Sequence, residues 1–437
     1  MQLIDDIRAR PMSLFQTRAV LICILINFID GFDVLAIAFA APEIANEWSL
    51  QPAVLGVVFS AGLAGMVVGA LFLSPFADRY GRRTLILTGL VIISIGMFTS
   101  ALANDVTTLV ITRLITGLGV GGMLSSLTTM VSEYSNARRQ KLAVAVLQSG
   151  YPVGAIIAGF VSVALVSAMG WRSIFVVGGG LSLLMLLVVW WRLPESLAFL
   201  LSKRPARALD SVNGLLVQMD MPPLDALPVE AQADRPKGGF FEVFSPEFRG
   251  RTVLIWLAFV AVMSTWYFIA NWTPKILVDA GLSRDTSLSG GVILSLGGVL
   301  GGITVGWIAT RIYVLKVGAV AMLGSIAGMV VFGSLPVAIT PMLVVTFLIG
   351  FVLSGSMISM YAAVPDMYPV QIRNTALGWA LGIGRLGAVL GPNLAGVMIQ
   401  VGWDRFALYA AMSLPMLLAA FAALSLTRSG VGATPAQ

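Results

Sequence analysis

The chain has 437 residues, of which 58% are hydrophobic and only 11% charged, and its mean hydropathy is +0.92. A soluble domain carries about 25% charged residues, so this composition excludes a soluble enzyme or a nucleic-acid binder. The net charge of +6 is read as loop lysine and arginine that set membrane topology, a single cysteine excludes an internal disulfide, and the absence of histidine removes the usual zinc ligand and any Ser-His dyad.

A helix needs about 20 apolar residues to cross a bilayer. Such stretches fall at 19–42, 54–76, 84–103, 107–133, 141–168, 172–192, 252–278, 286–309, 315–335, 340–364, 374–400 and 405–427. The expected fold is therefore an all-α integral membrane protein with 12 transmembrane helices. The N-terminal stretch is not read as a cleavable signal, because Asp5 and Asp6 come early and no short apolar core ends at a small-residue cleavage site. With a cytoplasmic N-terminus, the loops and tails on that side carry 21 of the 27 lysines and arginines and the opposite loops carry four. That bias predicts that both termini are cytoplasmic.

The one long polar stretch, 193–250, is rich in proline and charge. It is expected to be a cytoplasmic linker between an N-terminal six-helix bundle (1–192) and a C-terminal six-helix bundle with a short tail (251–437). Short amphipathic helices are expected near 195–202 and 206–218. The two halves echo each other. Ser74–Arg79 parallels Gly306–Arg311 at an offset of 232, Val131–Glu133 parallels Val364–Asp366 at 233, and Arg139 parallels Arg373 at 234. Two parallel bundles with a midplane substrate site are a standard transporter plan.

Charges inside the spans each need a reason, since one at the bilayer centre costs about 2.5–3.5 kcal/mol on insertion scales. Asp30 and Asp33 sit mid-span in span one, three residues apart, and so share a helix face. Two carboxylates that close repel, which suits the pair to binding and releasing a proton. The alternative is that one of them caps a neighbouring helix or pairs permanently with Arg113 of span four. Arg113 itself is read as a counter-ion that responds to protonation or as a carboxylate ligand, with a fixed structural pair as the alternative. Arg385 is the lone charge in the core of the second half and is expected to attract or hold an anionic substrate. Gln148, Tyr151, Tyr267, Asn271, Tyr361 and Trp379 have plausible access to a central cavity, where they would stack on a ring or bind its hydroxyls. Asp78, Arg79, Arg82, Arg83, Glu133, Arg138, Asp366 and Arg373 are expected to form charge clusters that fasten the cytoplasmic gate. The glycines of span eleven, Gly378 to Gly391, are expected to allow close helix contact.

The run Asp78-Arg79-Tyr80-Gly81-Arg82-Arg83 between spans two and three resembles the loop signature of the major facilitator superfamily. Arg113-Leu114-Ile115-Thr116-Gly117-Leu118-Gly119 is similar to that superfamily's span-four signature, and Asp30-Gly31-Phe32-Asp33 with Ala41-Pro42 resembles its aromatic acid:proton symporter family. The resemblance covers about residues 15 to 428. It implies two pseudo-symmetric six-helix bundles in the bacterial inner membrane. The implied function is a non-enzymatic, proton-coupled importer of a benzoate- or hydroxybenzoate-like acid, working by alternating access. An exporter of the same fold for another small organic solute is the alternative. The expected partners are the aromatic acid, protons and the lipid bilayer, with no nucleic acid, metal or cofactor, and the chain is expected to act as a monomer.

Overall fold

The structure, a computed structural model, describes residues 2–227, 242–308, 311–369 and 372–428. Twelve helices among these are long and apolar enough to cross a membrane, and the protein is a multi-pass membrane protein. Spans one to six are Leu14–Glu47, Pro52–Phe72, Arg82–Ala101, Val106–Tyr134, Gln140–Met169 and Arg172–Arg192; spans seven to twelve are Arg249–Asp279, Arg284–Ile308, Val314–Ser334, Ile339–Ala363, Arg373–Gln400 and Arg405–Arg428. Leu197–Lys203 and Ala208–Gln218 are the two short helices after span six, while Gln2–Ala9 and Phe76–Tyr80 are short helices that hydropathy does not reveal.

Span one is the largest departure from the hydropathy window. At 34 residues it extends beyond the apolar core at both ends and continues through Pro42. Its start is set by Ser13 and Gln16, whose side chains each accept a hydrogen bond from the other's main-chain N–H (3.2 and 2.9 Å). This reciprocal arrangement satisfies two of the donors that open a helix.

By packing, the chain forms two compact units. Unit one comprises Met1–Val34, Gly65–Gly154 and Phe175–Arg235; unit two comprises Leu35–Ala64, Ala155–Ile174 and Pro236–Gln437. Lipid tails are as apolar as leucine, so helices associate by close backbone approach at small residues rather than by a hydrophobic drive. In unit one, Gly31 and Gly154 bring the backbones of spans one and five together, Gly65, Gly69 and Gly121 do so for spans two and four, and Gly178 admits Met97 between spans three and six. Within unit two the corresponding pairs recur. Gly387 and Gly391 face the main chain of span seven, Gly297, Gly301 and Gly350 join spans eight and ten, and spans nine and twelve pack along their length.

Candidate functional site

In unit one the site is built on the middle of span one. Asp30 and Asp33 are the seventeenth and twentieth of its 34 residues and both are buried, 1% exposed. Span four supplies Arg113, itself 2% exposed. Arg113 Nη1 lies 3.1 Å from Asp33 Oδ1, and its Nη2 donates to the Asp33 main-chain carbonyl at 2.9 Å. Met97 Sδ (3.2 Å) accepts from the same guanidinium, which also lies 5.6 Å from the Phe175 ring. Among the described residues, neither carboxylate oxygen of Asp30 has a hydrogen-bond partner, nor has Asp33 Oδ2. The guanidinium is thus committed to Asp33, and Asp30 stands one helical turn away without a donor.

Span five packs directly over these acids. Asn27 Nδ2 donates to the Leu147 carbonyl, and a Cβ at Gly31 would overlap the main-chain carbonyl of Tyr151. Gly31 is therefore what lets the backbones of spans one and five touch between the two aspartates. Of the two candidates on span five, Tyr151 is half-buried and Gln148 exposed.

In unit two the other candidates divide into two groups. Tyr361 of span ten packs edge-on against Phe259 (5.6 Å, 85°), and it lies near Tyr267 and Arg385. Asn271, buried on span seven, donates to the Tyr267 carbonyl one turn earlier at 2.8 Å. Trp379 belongs elsewhere. Its ring lies 5.6 Å from that of Trp256 and 5.5 Å from that of Phe244, in an aromatic cluster at the beginning of spans seven and eleven. It precedes Arg385 by six residues, about 9 Å along the helix.

Span eleven presents three distinct faces. Gly384, Gly387 and Gly391 lie against span seven, with Gly387 and Gly391 meeting its main chain, and Leu386, Leu390, Leu394 and Val397 are exposed. The third stripe runs Gly378, Gly382, Arg385, Val389, Pro392, Gly396, with the helical spacing of a single face. Its later part meets span two: Ser60 Oγ donates to the Val389 carbonyl at 2.7 Å, Gly56 abuts the Pro392 carbonyl and Gly396 abuts Pro52. Its earlier part is open, since a Cβ at Gly378 or Gly382 would meet nothing within 4 Å among the described residues. Close helix contact therefore explains Gly384, Gly387 and Gly391, and the expectation does not hold for Gly378 and Gly382, which instead leave room beside Arg385.

The charge cluster after span two centres on a residue that hydropathy and charge spacing do not single out, Glu195. Its Oε1 accepts from the main-chain N–H of Arg82 (2.9 Å), Arg83 (3.1 Å) and Ser196 (2.7 Å), so one carboxylate caps span three from the end of span six. Tyr134 Oη donates to the Glu195 carbonyl (2.6 Å) and Ser196 Oγ donates to Glu133 (2.5 Å), which fastens the end of span four to the same point. Arg82 is close enough for its charge to act on Glu133, and Arg83 Nη2 donates to the Trp190 carbonyl at 2.5 Å. Arg79 lies over the Tyr80 ring at 5.3 Å, Arg138 is exposed and Arg373 half-buried. The side chains of Asp78 and Asp366 lie outside the described residues. The local signal for Glu195 is Leu193-Pro194-Glu195-Ser196, a proline, an acid and a helix-capping serine immediately before the helix Leu197–Lys203.

Among the described residues no group of three Asp, Glu or Cys side chains converges as metal ligands do. Residues 23–341 match the Major Facilitator Superfamily. The chain is 32% identical to a gallate transporter of Pseudomonas putida, with 99% of this chain and 96% of that protein covered. It is 34% identical to a 4-hydroxybenzoate transporter of Pseudomonas aeruginosa (96% and 94% covered) and 30% identical to a 3-(3-hydroxy-phenyl)propionate transporter of Escherichia coli (92% and 91%). In fold it is similar to the inward-facing crystal structure of a bacterial homologue of the human lysosomal transporter Spinster, with a TM-score of 0.75 at 17% identity over 98% of this chain and 100% of that one. The twelve spans, the loop signature and relatives matched nearly end to end lead to one assignment: the chain belongs to the major facilitator superfamily.

Proposed function

We propose that this protein imports an aromatic carboxylate of the benzoate and hydroxybenzoate class, together with protons, across the bacterial inner membrane by alternating access. Both termini are cytoplasmic in this reading, the working form is a monomer, and residues 193–250 link two six-helix halves. The recurrence of the pairs one–five, two–four and three–six as seven–eleven, eight–ten and nine–twelve supports that division.

The observation that carries the proposal is Arg385 on the stretch of span eleven that holds Gly378 and Gly382, close to Tyr361, which also neighbours Tyr267. A guanidinium binds a carboxylate through two parallel hydrogen bonds and keeps its charge, and tyrosines supply ring faces and hydroxyls to an aromatic acid. Gallate and 4-hydroxybenzoate, named for the relatives, are acids of this kind.

Asp30 supplies the proton site. An ionised carboxylate without a donor is costly to bury, and taking up a proton removes that cost. Asp33 keeps Arg113 as counter-ion, so the two acids divide the work. A monoanion moving with one proton is electroneutral and responds to the pH gradient, about tenfold accumulation per unit. A second proton adds the membrane potential, worth about 2.3 kcal/mol per charge at 100 mV.

Proteoliposomes given an inward proton gradient test the whole reading. Labelled 4-hydroxybenzoate should accumulate, with matching alkalinisation outside, and Arg385→Ala should abolish uptake at normal protein abundance. Full uptake by Arg385→Ala removes that residue from the substrate site. Gradient-driven loss of label from loaded vesicles makes the protein an exporter.

A further inference from the structure

Pro392 interrupts span eleven between Arg385 and its far end. A proline inside a helix removes one main-chain donor, so the turn before it is held by fewer bonds than its neighbours. Three side chains gather at that turn instead. Ser60 of span two donates to the Val389 carbonyl at 2.7 Å, and Asn393 Nδ2 donates to the same oxygen at 3.0 Å. Trp272 of span seven donates through Nε1 to the Pro392 carbonyl at 3.0 Å. Trp272 and Ser60 are 1% and 4% exposed, and the indole meets the ring of Phe59 of span two edge-on at 5.2 Å.

The same seam continues to the ends of both spans. Gly56 abuts the Pro392 carbonyl and Gly396 that of Pro52. Gln400 accepts from the Ala53 N–H (3.2 Å) and donates to Gln51 (3.1 Å). Beside it, Phe39 of span one lies between Gly159 of span five and Gly291 of span eight. All of these residues belong to unit two. Val389 lies four residues, about 6 Å, beyond Arg385. The seam therefore closes one side of Arg385, whereas the stripe on its other side holds Gly378 and Gly382, which are open among the described residues. The hydrogen bonds described across it join neutral groups, so parting them costs far less than breaking a buried ion pair such as Arg113 with Asp33.

We propose that Trp272 and Ser60 are positioning residues that latch this side of the substrate site shut, and that they must release span eleven for it to open. Their donors fix the proline-broken turn and do not touch the substrate. The proposal rests on the transport reading above, in which this side faces away from the cytoplasm.

The test is labelling of Val389→Cys, in a Cys23→Ala background, by a membrane-impermeant maleimide added to right-side-out membrane vesicles. Trp272→Phe keeps a ring against Phe59 but lacks the N–H, and Ser60→Ala removes only a hydroxyl. Added to that background, either should speed labelling about two- to tenfold, the shift in the closed population that loss of one neutral hydrogen bond produces. Native Cys23, buried in unit one, is the control. In chains that retain it together with Val389, the same two substitutions should leave it unlabelled. A labelling rate that neither substitution changes overturns the latch, and so does a parallel rise at Cys23, which marks general loosening. Uptake of labelled 4-hydroxybenzoate by wild-type vesicles is measured alongside. Uptake without a labelling response overturns the latch while transport stands. A labelling response without uptake overturns the transport reading and leaves the release of the seam standing, and absence of both overturns the two together.

Discussion

Arg113 holds Asp33 at two points, through the carboxylate at 3.1 Å and through the main-chain carbonyl at 2.9 Å, with both residues buried. Truncating one member of a buried ion pair leaves the other charge uncompensated, a loss of about 3–5 kcal/mol. Arg113→Ala and Asp33→Asn should therefore lower the thermal unfolding midpoint in detergent markedly, and Asp33→Asn with Arg113→Gln should recover part of the loss. Losses for Asp33→Asn and Arg113→Gln that simply add in the double variant would show that the pair contributes nothing as a pair.

Asp30→Asn makes a different prediction, because among the described residues Asp30 has no donor to lose. Its unfolding midpoint should stay near that of wild type. Concentrative, proton-driven uptake should vanish while exchange of labelled for unlabelled acid across the membrane persists. Substrate-dependent proton uptake at the wild-type rate in this variant would remove Asp30 from the coupling mechanism.

Glycine substitutions should separate packing from access. Gly31→Ala and Gly154→Ala force a methyl group into the facing backbone of spans five and one, where nothing flexible can yield. Loss of folded protein, by about 1–3 kcal/mol or more, is expected. Gly382→Ala meets open space, and alanine is the better helix former by about 1 kcal/mol, so its stability should hold or rise. Fluorescence-detected size-exclusion after heating reads both effects.

Glu195→Ala removes three charge-assisted hydrogen bonds at the start of span three and of the helix Leu197–Lys203. A destabilisation of about 1–3 kcal/mol is expected, with Glu195→Gln in between because it keeps an acceptor but not the charge. Equal midpoints for all three proteins would show that the cap is dispensable.

Asp105 gives a pH signature outside the spans. The side-chain and main-chain hydrogen bonds from Thr108 hold its carboxyl below the ordinary carboxylate range. A depressed value in the folded state means that its contribution is present above the unfolded value of about 3.9 and fades as pH falls through the folded value. Asp105→Asn should be less thermostable than wild type at neutral pH, and the difference should shrink below about pH 4. A difference that stays constant down to pH 3 would show that the ionised carboxylate is not its source.

Much of the candidate site is legible in the residues themselves. A charge in an apolar helix has few places to go, so Asp30, Asp33, Arg113 and Arg385 stand out without coordinates. Less legible is the role of each. Spacing puts both aspartates on one face, yet only the rotation and depth of span four against span one bring Arg113 to Asp33 rather than Asp30. Trp379 has the composition of a ring-stacking residue, and its place among Trp256 and Phe244 follows from which residues of span seven and the segment Glu242–Phe244 it meets. Glu195 lies outside the apolar pattern, and its value comes from three N–H groups that only folding gathers around it.

The number of spans, the bias of their flanking charges and the family were determined by the sequence alone, because crossing a bilayer is a demand that each segment meets by its own length and hydropathy. Which carboxylate holds the arginine, which glycines touch a neighbour, and which three main-chain N–H groups gather around Glu195 were decided by tertiary structure. Those outcomes depend on the register between helices distant in the chain, and a change of a few ångströms in that register exchanges one partner for another.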